Sequence, residues 1–222
     1  MFYDSGKVVK LALPKIHATV TLTRIDESQM VPETSLEQVR LDTVDLGGRH
    51  IGNLSLDESV LEKVLLLEAK LDKISLLDVV MKSCDLSAAK CSESSMIRAR
   101  FDGGRLIGVD LSRSTLKDVI FEDCNLNMAN FRSAKLMRVH FINCTMHETD
   151  FQMAELRDVA FQASSLEKVE FAHCKLRNVD ARSSRLFDIR GWQSLHGLII
   201  DPVQLTEIAP QLAVELGLLI KE

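Results

Sequence analysis

With 222 residues, 46% of them apolar and 27% charged, the chain can build one domain around a sizeable core. A formal net charge of −5 excludes the basic bias of a nucleic-acid-binding surface, and no apolar run is long enough to span a bilayer. Five cysteines without paired CxxC spacing make no disulfide framework, and the N-terminus has no apolar leader core, so the expected location is a reducing cytoplasm.

Residues 1–35 follow no period. Lys7–Pro14 reads as a short strand stopped by Pro14, and Thr19–Leu22 as a second. This stretch is expected to form an N-terminal cap.

From Leu36 to Leu186 every fifth residue is apolar, 31 positions without one polar or charged side chain, and seven of the nine phenylalanines fall on them. The phase never slips. Two residues earlier in each unit the side chain is small or β-branched, as at Val119, Cys124, Ala129, Val139 and Cys144. Arg49 and Leu54 break this rule, so the first coils are expected to be looser. A period of five suits neither a helix nor a flat strand. It works if the chain bends after each unit, with one small and one large side chain inward, so that four bends close a coil of twenty residues. Phe101, Phe121, Phe141 and Phe161 then form one inner column, and Phe131, Phe151 and Phe171 the opposite one. At about 4.8 Å per coil the shaft of residues 36–190 is about 37 Å long.

Units such as Val44-Asp45-Leu46, Cys84-Asp85-Leu86, Cys124-Asn125-Leu126 and Ala129-Asn130-Phe131 resemble the A(D/N)Lxx pattern of the pentapeptide repeat proteins. The resemblance implies an all-β fold, a right-handed quadrilateral β-helix. Some members of that family mimic duplex DNA and bind gyrase, conferring quinolone protection. Such mimicry needs an acidic face with phosphate-like spacing. Here the charges are mixed on every face, and the unbroken phase leaves no room for the loops of many quinolone-protecting relatives. Gyrase is therefore the weaker expectation. The stronger one is a non-catalytic scaffold whose partner is another protein or its own copy, with neither membrane nor direct nucleic-acid binding.

Residues 191–222 form the third segment. Trp192 and Leu195–Ile200 read as a degenerate last coil. Asp201, Pro202 and Gln204 suit the N-cap, first and third positions of a helix, and Gly217 suits its stop. Pro210 is expected to kink this stretch or split it. Leu205, Ile208, Leu212 and Leu216 share one side. That side either covers the last coil or forms a dimer contact, as in relatives that pair through C-terminal elements.

Stacking at twenty residues assigns the outward side chains to faces. Asp78, Arg98, Asp118, Arg138 and Asp158 form one column, read as an exposed, self-neutralising ladder. Lys117, Lys135, Arg157, Lys175 and Arg177 beside it form a basic patch. Val60, Val80, Ile120, Ile142, Ile107 and Met128 form apolar columns, read as a partner surface or, alternatively, as side chains shielded by their neighbours or by the N-terminal cap. Cys84, Cys124 and Cys144 share one inward column, as small core residues or, alternatively, a redox or metal site. His140, His147 and His173 point outward on different faces. There is no glycine-rich phosphate loop and no HExxH, so no catalytic residue, cofactor or metal is expected.

Overall fold

The five-residue period becomes a coil because every fifth backbone turns left-handed. In the computed structural model, which describes residues 10–16 and 21–218, these positions have φ between 45° and 65°, whether Asp123, Asn143, Lys168 or Ala163. Left-handed backbone costs an L-residue about 1–2 kcal/mol. The bend is held by hydrogen bonds to the next coil: Ser83 N donates to Asp102 O at 2.8 Å, and Asn143 N to Gln162 O at 2.9 Å.

Every ladder between Ser35 and Phe187 is parallel and pairs residue n with n+20, from Ser35 with Ser55 to Glu167 with Phe187. Two adjacent faces merge into one twelve-stranded sheet, because strands such as Ser75–Lys82 and Thr115–Glu122 run through a corner. The other two faces carry a three-stranded sheet and isolated bridges such as Lys90 to Asp110. The result is a four-sided β-helix.

Inside, every fifth-position side chain from Leu41 to Leu186 is buried except Leu176. Phe101, Phe121, Phe141 and Phe161 stack at centroid distances of 4.8, 5.2 and 5.1 Å. Phe131, Phe151 and Phe171 stack at 4.9 and 5.3 Å. The two columns meet edge to face at 6.0–6.4 Å, the arrangement that ring quadrupoles favour.

The small inward position has a rule of its own. A thiol or hydroxyl there donates to the carbonyl two residues back, as Ser59 does, to one twenty-three back, as Thr149 does, or to both. Cys144 Sγ reaches Ile142 O and Phe121 O, both at 3.4 Å, and Ser164 Oγ reaches Gln162 O at 3.0 Å and Phe141 O at 3.2 Å. Cys, Ser and Thr are thus core residues here, because their polar hydrogen is satisfied.

The expected loosening of the first coils is not found. Leu54 is buried, and the pairing Leu56 with Leu76 keeps the twenty-residue register. Arg49 turns outward, with Nη2 3.4 Å from Glu27 Oε1 and Nη1 donating to Glu27 O at 3.1 Å. The irregularity lies at the extreme ends. Thr23 pairs with Val39, an offset of sixteen, and Leu198 with Val179 at nineteen.

The two expected N-terminal strands are corrected. Lys10–Ile16 is not a strand, and Lys7–Val9 lie outside the described residues. Thr21 and Leu22 are not strand either; the strand is Thr23–Arg24, and Thr19 and Val20 lie outside the described residues. Main-chain donors of Lys10–Ile16 go to side-chain carboxylates instead of to a ladder.

The C-terminal segment is one helix, Pro202–Glu215. Asp201 accepts from Val203 N and Gln204 N, and Gln204 reaches back to Asp201 N, a complete capping box. Leu218 N donates to Ala213 O and Gly217 N to Val214 O, closing a Schellman motif with Gly217 at φ 71°. The expected break at Pro210 does not occur, since Pro210 and Thr206, whose carbonyl loses its partner, both lie on the exposed side. Towards the shaft, Ile208 is buried and Leu212 packs against the core. Gln204 Nε2 donates to Ala181 O at 2.7 Å, and Gln211 Nε2 to Ile189 O at 2.6 Å. The helix therefore covers apolar surface at the end of the shaft and satisfies carbonyls there.

Candidate interaction surfaces

The interior is filled, so the chemistry of this protein lies on its outside. One corner is the most highly structured part of that surface. Its column reads Gln38, Glu58, Asp78, Arg98, Asp118, Arg138, Asp158 and Asn178, all with left-handed backbone. The side chains bond in successive pairs across one coil. Gln38 Nε2 donates to Glu58 at 2.9 Å, and Asn178 Nδ2 to Asp158 at 2.8 Å. Between these pairs, Arg98 holds Asp78 through Nε at 2.7 Å and Nη2 at 2.6 Å. Arg138 holds Asp118 in the same two-pronged way.

The expectation of an exposed ladder is corrected here. Asp78 and Asp118 are buried. Part of their environment is the N-terminal segment, which runs along the column. Ala12 N donates to Asp118 Oδ1 at 3.2 Å, and Lys15 N to Asp78 Oδ1 at 2.8 Å. Burial pushes both carboxyls up, but the arginines and these main-chain donors outweigh it and hold both below the usual range. Sequence reasoning names the segment as a cap but not its contacts with these aspartates, because a main-chain N–H leaves no residue-type signal.

The apolar columns divide. Met128 is exposed; Val80, Ile107 and Ile142 are half-buried. Val60 and Ile120 are buried, which corrects their reading as exposed contacts. Ile120 stands two residues beyond Asp118, where the N-terminal segment crosses. Leu65, Leu67, Met153 and Phe187 are exposed as well. Arg185 lies over the Phe187 ring at 5.4 Å.

The basic patch is partly neutralised. Lys175 Nζ donates to Glu155 at 3.0 Å, and Lys135 lies opposite Glu155 on the neighbouring strand. Arg157 is 3.5 Å from Asp158. Lys117 is half-buried, and Arg177 is exposed one coil beyond Arg157.

The helix residues split between two roles. Ile208 and Leu212 face the shaft. Leu205 and Leu216 are exposed, as are Val203, Val214 and Leu218, all at 51–74%.

His140 keeps its outward position between inward Val139 and Phe141 but is covered, and burial holds its imidazole below the usual range. His147 lies 3.4 Å from Glu148 and 3.6 Å from Glu167. The five cysteines are buried free thiols. Burial pushes Cys84 up to about 11 and Cys174 up to about 12. Among the described residues no three His, Cys, Asp or Glu side chains gather as metal ligands would, and no helix is long and apolar enough to cross a membrane.

A family model described as a pentapeptide repeat region matches residues 54–131 and 134–190. No curated protein matches. Among solved structures, the chain is similar to a trypsin-treated form of QnrB1, a plasmid-mediated fluoroquinolone resistance protein. Identity is 20% and the TM-score 0.45, over 90% of this chain and 96% of that one. It is also similar to HetL, a pentapeptide repeat protein involved in heterocyst differentiation regulation in the cyanobacterium Nostoc. There the identity is 16% and the TM-score 0.38, over 78% of this chain and 91% of that one. A pentapeptide repeat protein from the thylakoid lumen of Arabidopsis thaliana matches at 15% identity and TM-score 0.25, over 61% of this chain and 70% of that one.

Proposed function

Because the chain belongs to the pentapeptide repeat family, we propose that it is a non-catalytic interaction scaffold that pairs with its own copy through the C-terminal helix. One observation carries this reading. Helix Pro202–Glu215 spends Ile208 and Leu212 on the shaft, yet leaves Leu205, Val214 and Leu216 exposed on its other sides. A helix serving only as a lid has no use for an apolar outer surface. A second copy offers the same surface, so the contact is self-complementary about a two-fold axis.

A rod paired end to end presents its long faces to further partners. The basic patch at Lys117, Lys135, Arg157, Lys175 and Arg177 and the exposed Met128 are the surfaces we assign to them. A gyrase-binding, DNA-mimicking role is not our reading. It calls for a continuous acidic face, whereas Arg98 and Arg138 alternate with the aspartates of the corner column.

Sedimentation equilibrium on the full chain tests the pairing. A dimer that becomes a folded monomer on Leu205→Glu with Leu216→Glu supports it. A wild-type monomer, or a dimer that the double variant leaves intact, overturns it.

A further inference from the structure

The corner column has a spacing that matches something other than itself. Asp78 and Asp118 lie forty residues apart, two coils along the axis, about 10 Å at the spacing of β-sheet neighbours. The donors that reach them, Ala12 N and Lys15 N, are three residues apart in sequence. Three residues of extended chain also span about 10 Å. An extended polypeptide with three residues per turn, lying along this corner, therefore turns two N–H groups three residues apart toward the two buried carboxylates.

The column is complementary to a backbone in a second way. Arg98 and Arg138 alternate with the carboxylates, and each guanidinium has five N–H donors, of which its aspartate takes two. Acceptor and donor thus alternate along the axis, as C=O and N–H do along a peptide. The outward residues flanking the corner include Leu77, Ile97 and Met137, all half-buried, with Ile120 buried. Asp158 repeats the acceptor two coils further on. Its side chain is 19% exposed, against 6% for Asp78 and for Asp118.

We propose that this corner is a binding site for an extended polypeptide, read through its main-chain N–H groups, and that Lys10–Ile16 fills it in cis as a removable strap. The described part of the strap is lightly held. Leu11, Pro14 and Ile16 are half-buried, while Lys10, Ala12, Leu13 and Lys15 are exposed. Its hydrogen bonds to the corner column are two main-chain ones, neither of which depends on the identity of a side chain, and the Lys15 charge adds to the hold on Asp78. The half-buried Leu11, Pro14 and Ile16 and the Lys15 charge beside Asp78 set the composition, so the ligand class is an extended peptide of apolar and basic residues like the strap itself.

The test uses the full chain carrying Ala12→Pro and Lys15→Pro, which removes the two donors and leaves every residue of the column in place. The probe is a fluorescently labelled, end-capped peptide with the sequence of Lys10–Ile16, followed by anisotropy. The variant should bind it at least about tenfold more tightly than wild type, whose tethered strap competes at high effective concentration. The same peptide N-methylated at the positions of Ala12 and Lys15 should not bind. A variant with an unchanged thermal melt that fails to bind the peptide overturns the proposal, as does equal binding of the N-methylated peptide. Hydrogen exchange on the wild-type chain gives an independent reading. The amides of Ala12 and Lys15 should be protected, and Asp118→Ala should release Ala12; an unprotected Ala12 amide in wild type contradicts the strap.

Discussion

Arg138 grips Asp118 across one coil of the shaft, Nε to Oδ1 and Nη2 to Oδ2, both at 2.6 Å. The aspartate is buried and the arginine is partly open to water. Replacing Arg138 by Met leaves a buried carboxylate with only the strap amide as partner. We expect a loss of about 2 kcal/mol, within the roughly 1.5–3 kcal/mol range of hydrogen bonds to charged groups. It should appear as a lower urea midpoint at unchanged slope.

The same geometry sets a pH dependence. The Asp78 and Asp118 carboxyls are held below the usual range, so they contribute stability that is fully present above the unfolded-state value. That stability is lost as pH falls from about 4 through the folded-state values. His140 has the same sign at higher pH. Its depressed value makes the neutral form part of the folded state, and stability declines as pH falls from about 6.5. Stability measured against pH should therefore fall in two steps. Asp78→Asn with Asp118→Asn should reduce only the lower one, to which Glu155, Asp180 and Asp201, also held below the usual range, still contribute.

The phenylalanine column gives a graded test. Phe141 stacks on Phe121 and Phe161 and meets Phe131 and Phe151 edge-on. Phe141→Ala should cost about 3–5 kcal/mol. Phe141→Asp places a charge in the same space and should abolish folding, read as loss of the cooperative melt.

Cys144→Ser should be nearly silent, within about 1 kcal/mol. Ser164 already makes the equivalent two hydrogen bonds one coil later. Its hydrogen bond with Cys124 and its burial both push the Cys144 thiol up, so native-state alkylation of the wild type should be slow.

The shaft was legible because its signal is one of side-chain polarity. Leu136, Phe141 and Val139 declare their inward positions by type and by phase, and no insertion disturbs the count. Arg49 misled because a long side chain can leave an inward slot, and its partner Glu27 belongs to the aperiodic stretch. The corner column was legible as alternating charge, but its burial was not, since that depends on backbone donors 63 and 106 positions away. For Val60 and Ile120 the shielding alternative holds, and sequence could not choose it because period-based assignment gives the direction of a side chain and not what lies over it. The helix was legible from Asp201, Pro202, Gln204 and Gly217, all residues with specific capping chemistry. Pro210 does not split the helix, because its lost bond falls on the exposed side.

The central claim is that twenty residues, and not five, form the structural unit. Deleting residues 155–174 removes one whole coil and lets Lys175 take the place of its sheet partner Glu155. Deleting residues 155–159 removes one side and rotates every later face by a quarter turn. The measurement is calorimetry of both variants. A single cooperative melt for the twenty-residue deletion and its loss for the five-residue deletion is the predicted result. Equal stability of the two would contradict the four-sided coil.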